Sequence, residues 1–455
     1  MITVKKNVKW ILWANLVLCI ASIILPNSFL VYNSFYLYGL QGIILITYAL
    51  RQINRFYQVF TPSFFVLIYY VVNLVFGSYL LPRDFGFQKW YNDDIFNIKY
   101  YNVIVLYFLL CNIGLFLIAI KTIQKLEFKN LLNNNTDGNK QFIYTKMLVF
   151  LLLLYTVSYF EVYSSFSFQL IIIIIICLDI NAFRNYVRYV IYLTILMIAV
   201  KFNFENKREV VVILFTILFI ESGYSKWEFN LKFKKILAYI FGVIVFFSLI
   251  LTASVMRGYG GFDKSNLYDS FKLVPEYIGQ DLFIDGLTEN LEFNYNYGSA
   301  VTSMNLILSG KIDYQFGGTI IKVLFLPLPR EVAPFKPESM MQIYTKKYQP
   351  RFWNEGGSLP VNISCDMFLN FHFFGLFVFV VLWYIMDRLF INIFLYTKQN
   401  TRLYSSIFLI INILPLARGS GIEQYLLYYF CILPFLLFYA LLRIVVKEYN
   451  WKIVK

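Results

Sequence analysis

The chain is poor in charged residues and in metal-binding side chains. Asp, Glu, Lys and Arg make up 15% of its 455 residues, whereas 59% are hydrophobic. It contains one histidine, His372, and five cysteines that form no CxxC pair. A single histidine excludes a His-rich metal site. An odd number of cysteines without a CxxC pair argues against a disulfide framework and against a Cys-based metal site. No internal repeat is visible, so nothing in the sequence indicates the inverted halves that are common in secondary transporters.

The chain is instead rich in apolar runs long enough to cross a bilayer. We predict an all-α fold, a polytopic transmembrane helical bundle with about 12 spans. These spans divide the chain into residues 1–256 with nine spans, a large polar loop at 257–364, and residues 365–455 with three spans and a tail. The predicted spans are 10–28, 30–50, 61–82, 100–120, 146–161, 166–181, 187–203, 209–222, 236–256, 365–386, 403–417 and 422–446.

The distribution of positive charge predicts the orientation of these spans. About 23 of the 40 Lys and Arg residues fall in the termini and in connections on one side of the predicted bundle. Because short cytoplasmic loops collect Lys and Arg, we place both termini in the cytoplasm and the loop 257–364 outside. The net charge of +14 is thus a topology signal, with anionic membrane lipids as expected partners and no nucleic acid.

Several basic residues are predicted at the outer boundary despite the preference for the inner one. They are suited to a diphosphate, because an arginine fork binds phosphate oxygens in a bidentate way. The alternative is that each side chain only extends to the interface, or that the loop is tethered to lipid headgroups. The candidate diphosphate-binding residues are Arg208, Arg257, Arg330, Lys336 and Arg418.

Acidic and aromatic residues near the same boundary complete the candidate site. Asp366 or Glu331 is a candidate general base toward a sugar hydroxyl, although each could instead neutralise an arginine. The sugar-stacking candidates Tyr259, Tyr344 and Trp353 are equally suited to anchoring at the interface. His372, as a single histidine in a span, is better suited to helix packing than to direct chemistry.

Three short motifs resemble the oligosaccharide repeat-unit polymerases of the O-antigen and capsule (Wzy-type) family. Lys207-Arg208 opens an apolar span, and Leu328-Pro329-Arg330-Glu331 with Pro334-Phe335-Lys336-Pro337 resembles the family's "PR…P.KP" signature. Phe368-x-Asn370-Phe371, with Gly375 four residues later, resembles its "E..(Y/F).NFG..G" segment. Two positions depart from that pattern, since Cys365 stands where glutamate is usual and His372 where the first glycine is usual.

The resemblance implies a GT-C-like glycosyltransferase of the bacterial inner membrane that needs no metal ion or cofactor. Its donor and acceptor would be undecaprenyl-diphosphate-linked glycans, and the growing chain would be transferred as a block to a new repeat unit. Asn370 would then bind sugar, and a chain-length regulator is a further candidate partner. The product, O-antigen or capsular polysaccharide, is left open.

Two other functions fit parts of the same pattern. A flippase or exporter of lipid-linked oligosaccharide would need charged residues deep within its spans, and the predicted spans have almost none there. An O-antigen ligase would use the same lipid-diphosphate chemistry with a comparable topology, so the residues separate it poorly from a polymerase. The loop motifs favour the polymerase.

Overall fold

The computed structural model describes residues 2–83, 94–126, 267–281, 283–325 and 331–396. It also describes isolated helical positions between 192 and 256 and at 413, 416 and 417. Predicted spans 146–161, 166–181, 187–203, 209–222, 403–417 and 422–446 therefore lie wholly or mostly outside the described residues, and 236–256 is described at separate positions only.

The described residues form helices and contain no β-strand. Short 3-10 helices at Phe56–Phe60, Leu81–Arg83, Lys322–Phe325 and His372–Phe374 extend or join the α-helices. The α-helices are α1 (Ile2–Ile24), α2 (Asn27–Arg51), α3 (Pro62–Leu80), α4 (Tyr101–Leu126), α5 (Leu267–Ile278), α6 (Phe283–Leu291), α7 (Phe293–Leu308), α8 (Gly318–Ile321), α9 (Met340–Tyr348), α10 (Pro350–Asn354), α11 (Ile363–Phe371) and α12 (Gly375–Tyr396).

Four of these helical segments are long and apolar enough to cross a membrane: Asn27–Arg51, Pro62–Arg83, Tyr101–Leu126 and Ile363–Ile393. They coincide with the predicted spans 30–50, 61–82, 100–120 and 365–386. The prediction of an all-α chain with membrane-length helices is confirmed to this extent. The first predicted span, 10–28, overlaps α1, whose apolar part Val8–Ile24 is shorter.

Buried polar side chains tie the long helices to one another. Gln41 on α2 donates from Nε2 to the carbonyl of Leu109 on α4 at 3.0 Å, and Asn112 Nδ2 donates to Gln41 Oε1 at 3.0 Å. Gln41 and Asn112 are fully buried in an otherwise apolar contact. Since an unpaired polar group there is costly, these bonds favour one register of α2 against α4.

Helix α7 lies within the region predicted as a polar loop, yet it packs into the bundle. A Cβ placed on Gly77 of α3 would lie 2.3 Å from Tyr297 Cβ, so the glycine permits the close approach of α3 and α7. The Tyr297 hydroxyl also lies 2.6 Å from the Tyr101 hydroxyl on α4, and both rings are buried. Part of residues 257–364 therefore belongs to the helical core.

The polar stretch 267–291 forms two helical elements rather than one. α5 ends at Ile278, and α6 begins at Phe283 after a turn that contains Gly279. Tyr277 is buried, and its ring packs edge-on against Phe283 at 5.3 Å. This contact folds α6 back on α5, which a single continuous helix would not allow.

The two ends of the bundle differ in charge. At one end, Tyr57 Oη of the connection 52–61 donates to the carbonyl of Leu126, the last residue of α4, at 3.1 Å. Ser63 Oγ at the start of α3 donates to Asp387, in the second half of α12, at 2.5 Å. The cations at this end include Lys9, Arg51, Arg55, Lys121, Lys125 and Arg388. A carboxylate of this end, Asp387, is buried. The opposite end carries charges of both signs, including Asp94, Lys99, Asp313, Glu338 and Arg351.

Candidate functional site

The segment Ile363–Ile393 is broken after α11. His372 has φ 55° and ψ −138°, a backbone conformation that favours glycine, and a 3-10 turn follows it. A Cβ on Gly375 would lie 2.2 Å from the carbonyl oxygen of Met367, so only glycine fits where α12 begins. α11 is thereby a separate half-helix, and its polar side chains are set off from the apolar α12.

A buried polar cluster lies on α11. Asp366 and Asn370 are one helical turn apart and face the same side. Thr319 of α8 donates from Oγ1 to Asp366 Oδ1 at 2.7 Å. Asn370 Nδ2 lies 2.6 Å from Thr319 Oγ1, 2.8 Å from the Asp366 backbone oxygen and 3.2 Å from Asp366 Oδ1. All three side chains are at most 5% exposed, so the Asp366 carboxylate is held in one orientation.

One acceptor in this cluster lacks a donor. Asn370 Oδ1 is buried and makes no hydrogen bond to the part of the chain that the structure describes. The amide cannot be turned over to relieve this, because Oδ1 would then face the oxygens of Asp366. An unsatisfied buried acceptor costs about 1–3 kcal/mol. Asn370 Oδ1 is thus an acceptor that the described residues leave without a donor, in a cluster shielded from solvent.

Lys322 follows Thr319 by three residues, a spacing that places both on one helical face. It is 6% exposed, and its Nζ donates to Gln342 Oε1 at 3.3 Å. Gln342 is held in turn by the backbone N–H of Ser339, at 3.0 Å from the same oxygen. Buried lysines are rare unless they are paired, so Lys322 is a further candidate functional residue.

Sequence reasoning missed both Thr319 and Lys322. The signal for Lys322 was present, because it stands alone in the apolar run Thr319-Ile-Ile-Lys-Val-Leu-Phe325. A single cation inside such a run is a functional candidate by default. Thr319 gave no such signal, since a threonine in an apolar stretch is common and only the fold places it against Asp366.

A turn before α8 presses this segment against α11. Phe316 and Gly317 have positive φ values of 46° and 88°, and the backbone N–H of Gln315 donates to the carbonyl of Leu369 at 3.2 Å. The ring of Tyr314 packs edge-on against His372 with centroids 5.0 Å apart. Burial raises the pKa of the Tyr314 hydroxyl. His372 is thus a packing residue in this structure, as its sequence context indicated.

The other described candidates lie on the segment 331–353. Glu331 is exposed in a turn, and Lys336 is half-buried in the next one, where its backbone N–H donates to Ala333 at 3.1 Å. Tyr344 is fully buried: its hydroxyl bonds to Thr302.

The two aromatic candidates on this segment differ in access. The Tyr344 ring stacks on Tyr348 with centroids 5.2 Å apart, and no ring face is open to a sugar. Trp353 is half-buried, with Lys346 Nζ 5.1 Å from its ring centroid, and Lys346 forms an ion pair with Glu338. Of the described sugar-stacking candidates, Trp353 is therefore the accessible one.

The remaining candidates, Arg208, Arg257, Arg330, Arg418 and Tyr259, lie outside the described residues. Among the residues that are described, no group of three His, Cys, Asp or Glu side chains is placed to hold a metal ion. Of the predicted site, the structure thus brings together Asp366 and Asn370. No protein-family model, curated protein or solved structure matches the chain.

Proposed function

We propose that the chain is an inner-membrane glycosyltransferase that joins undecaprenyl-diphosphate-linked oligosaccharide repeat units into O-antigen or capsular polysaccharide. The observation that carries the proposal is the buried cluster of Thr319, Asp366 and Asn370, with an acceptor on Asn370 to which no described residue donates. Asp366 and Asn370 lie in the segment that resembles the polymerase family, so the motif and the geometry support the same site.

The charge of the two bundle ends supports the orientation that this function needs. The end with Arg51, Lys121, Lys125 and Arg388 carries exposed or half-buried cations, which the positive-inside rule assigns to the cytoplasm. Asp366 lies near the start of the segment Ile363–Ile393, at the opposite end. The polar cluster would then face the outer leaflet, where lipid-linked repeat units are joined.

In the proposed reaction, Asp366 acts as the general base. A hydroxyl of the acceptor sugar attacks the anomeric carbon of the donor, and its proton passes to the Asp366 carboxylate. The bond between that carbon and the lipid diphosphate breaks, and the diphosphate leaves with the electron pair. A neighbouring hydroxyl of the acceptor donates to Asn370 Oδ1, which directs the attacking oxygen toward Asp366.

The charge on the departing diphosphate needs cations at the same face. Lys322 is the described cation nearest in sequence to Thr319, and Lys336 lies in the turn that follows Glu331. Arg208, Arg257, Arg330 and Arg418 remain the proposed arginine ligands of the two diphosphates. Trp353 is the proposed stacking surface for a sugar ring.

The structure also favours Asp366 over Glu331 as the base. Asp366 is 5% exposed and is held by Thr319 and Asn370, whereas Glu331 is exposed in a turn. A base acts through positioning as well as proton affinity, and a solvent-exposed glutamate is not held in one place. Glu331 is the second candidate.

The placement of charges in the described spans favours an enzyme over a flippase. Arg51, Arg83, Lys121, Asp366 and Asp387 all lie in the first or last two turns of their helical segments. The middles of these four segments carry no charge, and a polar path across the bilayer would need one. The charges do not separate a polymerase from an O-antigen ligase, which the deletion experiment below distinguishes.

Deletion in the native host, followed by gel analysis of the surface glycan, tests the proposed function. We expect single repeat units to remain and the ladder of longer chains to disappear. A ladder that persists would refute the proposal, and loss of the single unit as well would indicate a flippase or a ligase instead.

Point variants in the deletion strain then test the base. Asp366→Asn should reduce polymer at least about 100-fold, the usual contribution of a positioned base. The matched control Asp313→Asn changes an exposed carboxylate six residues before Thr319 and should restore the full ladder. Protein level and thermal stability in detergent exclude misfolding as the cause. If Glu331→Gln abolished polymer while Asp366→Asn did not, the roles of the two acids would have to be exchanged.

A further inference from the structure

A groove of about 550 Å³ lies between α1 and α2, at the end with exposed cations. α1 and α2 are joined by the short connection Leu25–Pro26, and the groove opens at their far ends. α1 packs more extensively on α4 than on α2, so the two helices separate away from their connection. The volume is in the range of small-molecule binding sites.

The groove is apolar along its length and polar at one end. Ile11, Ile43 and Ile44 form its apolar part, and Trp10 lies at its rim with 70% of its side chain exposed. Arg51, in the last turn of α2, closes the other part together with Thr47 and Gln52. The groove thus has an apolar wall flanked by a tryptophan and a cation at one end, which matches the acyl chain and the headgroup of a lipid.

Arg51 places a positive charge in this groove. The side chain is exposed, and no carboxylate of the described residues pairs with it. Arg55 and Lys125 add positive charge at the same end of the bundle. A guanidinium of this kind binds phosphate oxygens through two parallel hydrogen bonds, and Thr47 and Gln52 offer further donors.

We propose that this groove binds one anionic phospholipid, with an acyl chain against Ile11, Ile43 and Ile44 and the headgroup phosphate at Arg51. Ile43 is 67% exposed on a helix of membrane-spanning length, so the groove faces the lipid phase. An apolar groove open to lipid is filled by an acyl chain, and the charge of Arg51 selects an anionic headgroup. The site is independent of the proposed glycosyltransferase activity and lies at the opposite end of the bundle from Asp366.

Native mass spectrometry of the full-length protein, titrated with phosphatidylglycerol or phosphatidylcholine of equal chain length, tests the site. The wild type should bind the first phosphatidylglycerol about fivefold more tightly than phosphatidylcholine, because the choline cation offsets the attraction of Arg51 to the phosphate that both lipids carry. Arg51→Gln should abolish that preference. Equal binding of the two lipids by the wild type would overturn the proposal.

Two further variants separate a defined site from general attraction. Arg388→Gln removes a cation of the same end that lies outside the groove, bonded to Tyr384 at 2.7 Å, and should keep the preference. Ile44→Trp fills the groove and should weaken the first binding event of both lipids. If Arg388→Gln lost as much preference as Arg51→Gln, or if Ile44→Trp bound both lipids as the wild type does, the attraction would be diffuse and the site refuted.

Discussion

The backbone at His372 allows a test of the broken span by two substitutions at one position. With φ 55° and ψ −138°, His372 occupies a region in which a residue with a Cβ is strained by about 1–3 kcal/mol. Gly is free of this strain but loses about 0.5–1 kcal/mol more backbone entropy than Ala on folding. We therefore expect His372→Gly to be more stable than His372→Ala by about 1 kcal/mol, within the span of about 0–2.5 kcal/mol that the difference between these two terms allows.

The comparison between the two variants removes the contribution of the imidazole. Its ring contacts to Tyr314, Phe368 and Phe373, at centroid distances of 5.0, 5.0 and 4.5 Å, are lost in both. What differs is the Cβ alone. The measurement is the free energy of unfolding by SDS titration in mixed micelles, followed by tryptophan fluorescence.

A matched pair at Phe377 gives the reference for an ordinary helical position. Phe377 is 60% exposed in α12, and in a helix interior Gly is about 1 kcal/mol less stable than Ala. The order of stability should thus be Ala above Gly at Phe377 and Gly above Ala at His372. If Ala were as stable as Gly at both positions, α11 and α12 would not be separated by a strained residue, and the description of the break would be wrong.

Two further predictions concern the end of the bundle with exposed cations. Burial raises the pKa of Tyr57 to about 12. The neutral hydroxyl therefore contributes its full stabilisation below pH 10, the ordinary pKa, and this contribution is lost as the pH rises through 12. Tyr57→Phe loses the hydrogen bond to Leu126 and should be less stable than the wild type by about 1 kcal/mol at pH 7. Between pH 10 and 12 it should lose less stability than the wild type in thermal unfolding. Parallel pH curves for the two proteins would contradict this. Asp387→Ala removes the acceptor of the buried Ser63 N–H, which lies 2.9 Å from the carboxylate, and should lower the free energy of unfolding in SDS titration by about 1–3 kcal/mol. The control Asp313→Ala changes an exposed carboxylate and should have little effect. Equal effects of the two variants would contradict a structural role of Asp387.

The long helices could be predicted from the sequence because a membrane span needs only a continuous run of about 20 apolar residues. Apolar length alone gave 30–50 and 61–82, close to Asn27–Arg51 and Pro62–Arg83. α7 could not be recognised in this way. Its 16 residues are too few to span a bilayer, and its place in the core depends on contacts from Tyr297 to the distant Gly77 and Tyr101.

The candidate site was predictable in its acids and not in their partners. Asp366 and Asn370 are one turn apart, so their shared face follows from helical spacing. Thr319 lies 47 residues before Asp366, and only the fold of the turn at Phe316 and Gly317 brings it there. Contacts over such a separation have no local signature. Lys322 could be recognised as unusual because it is a lone cation in an apolar run, but the sequence does not show that its ammonium group bonds to Gln342.

The position of the break explains why the polar cluster can exist in a segment of membrane-spanning length. Asp366 and Asn370 lie in a segment of membrane-spanning length, where unpaired polar groups are costly. Ending α11 at His372 lets the turn before α8 approach, so that Gln315 bonds to Leu369 and Thr319 reaches Asp366. The strain at His372 and the lack of a donor to Asn370 Oδ1 among the described residues both oppose stability, and they occur within one helical turn of each other. Their position beside the held Asp366 carboxylate supports the proposed site for a hydroxyl of the acceptor sugar.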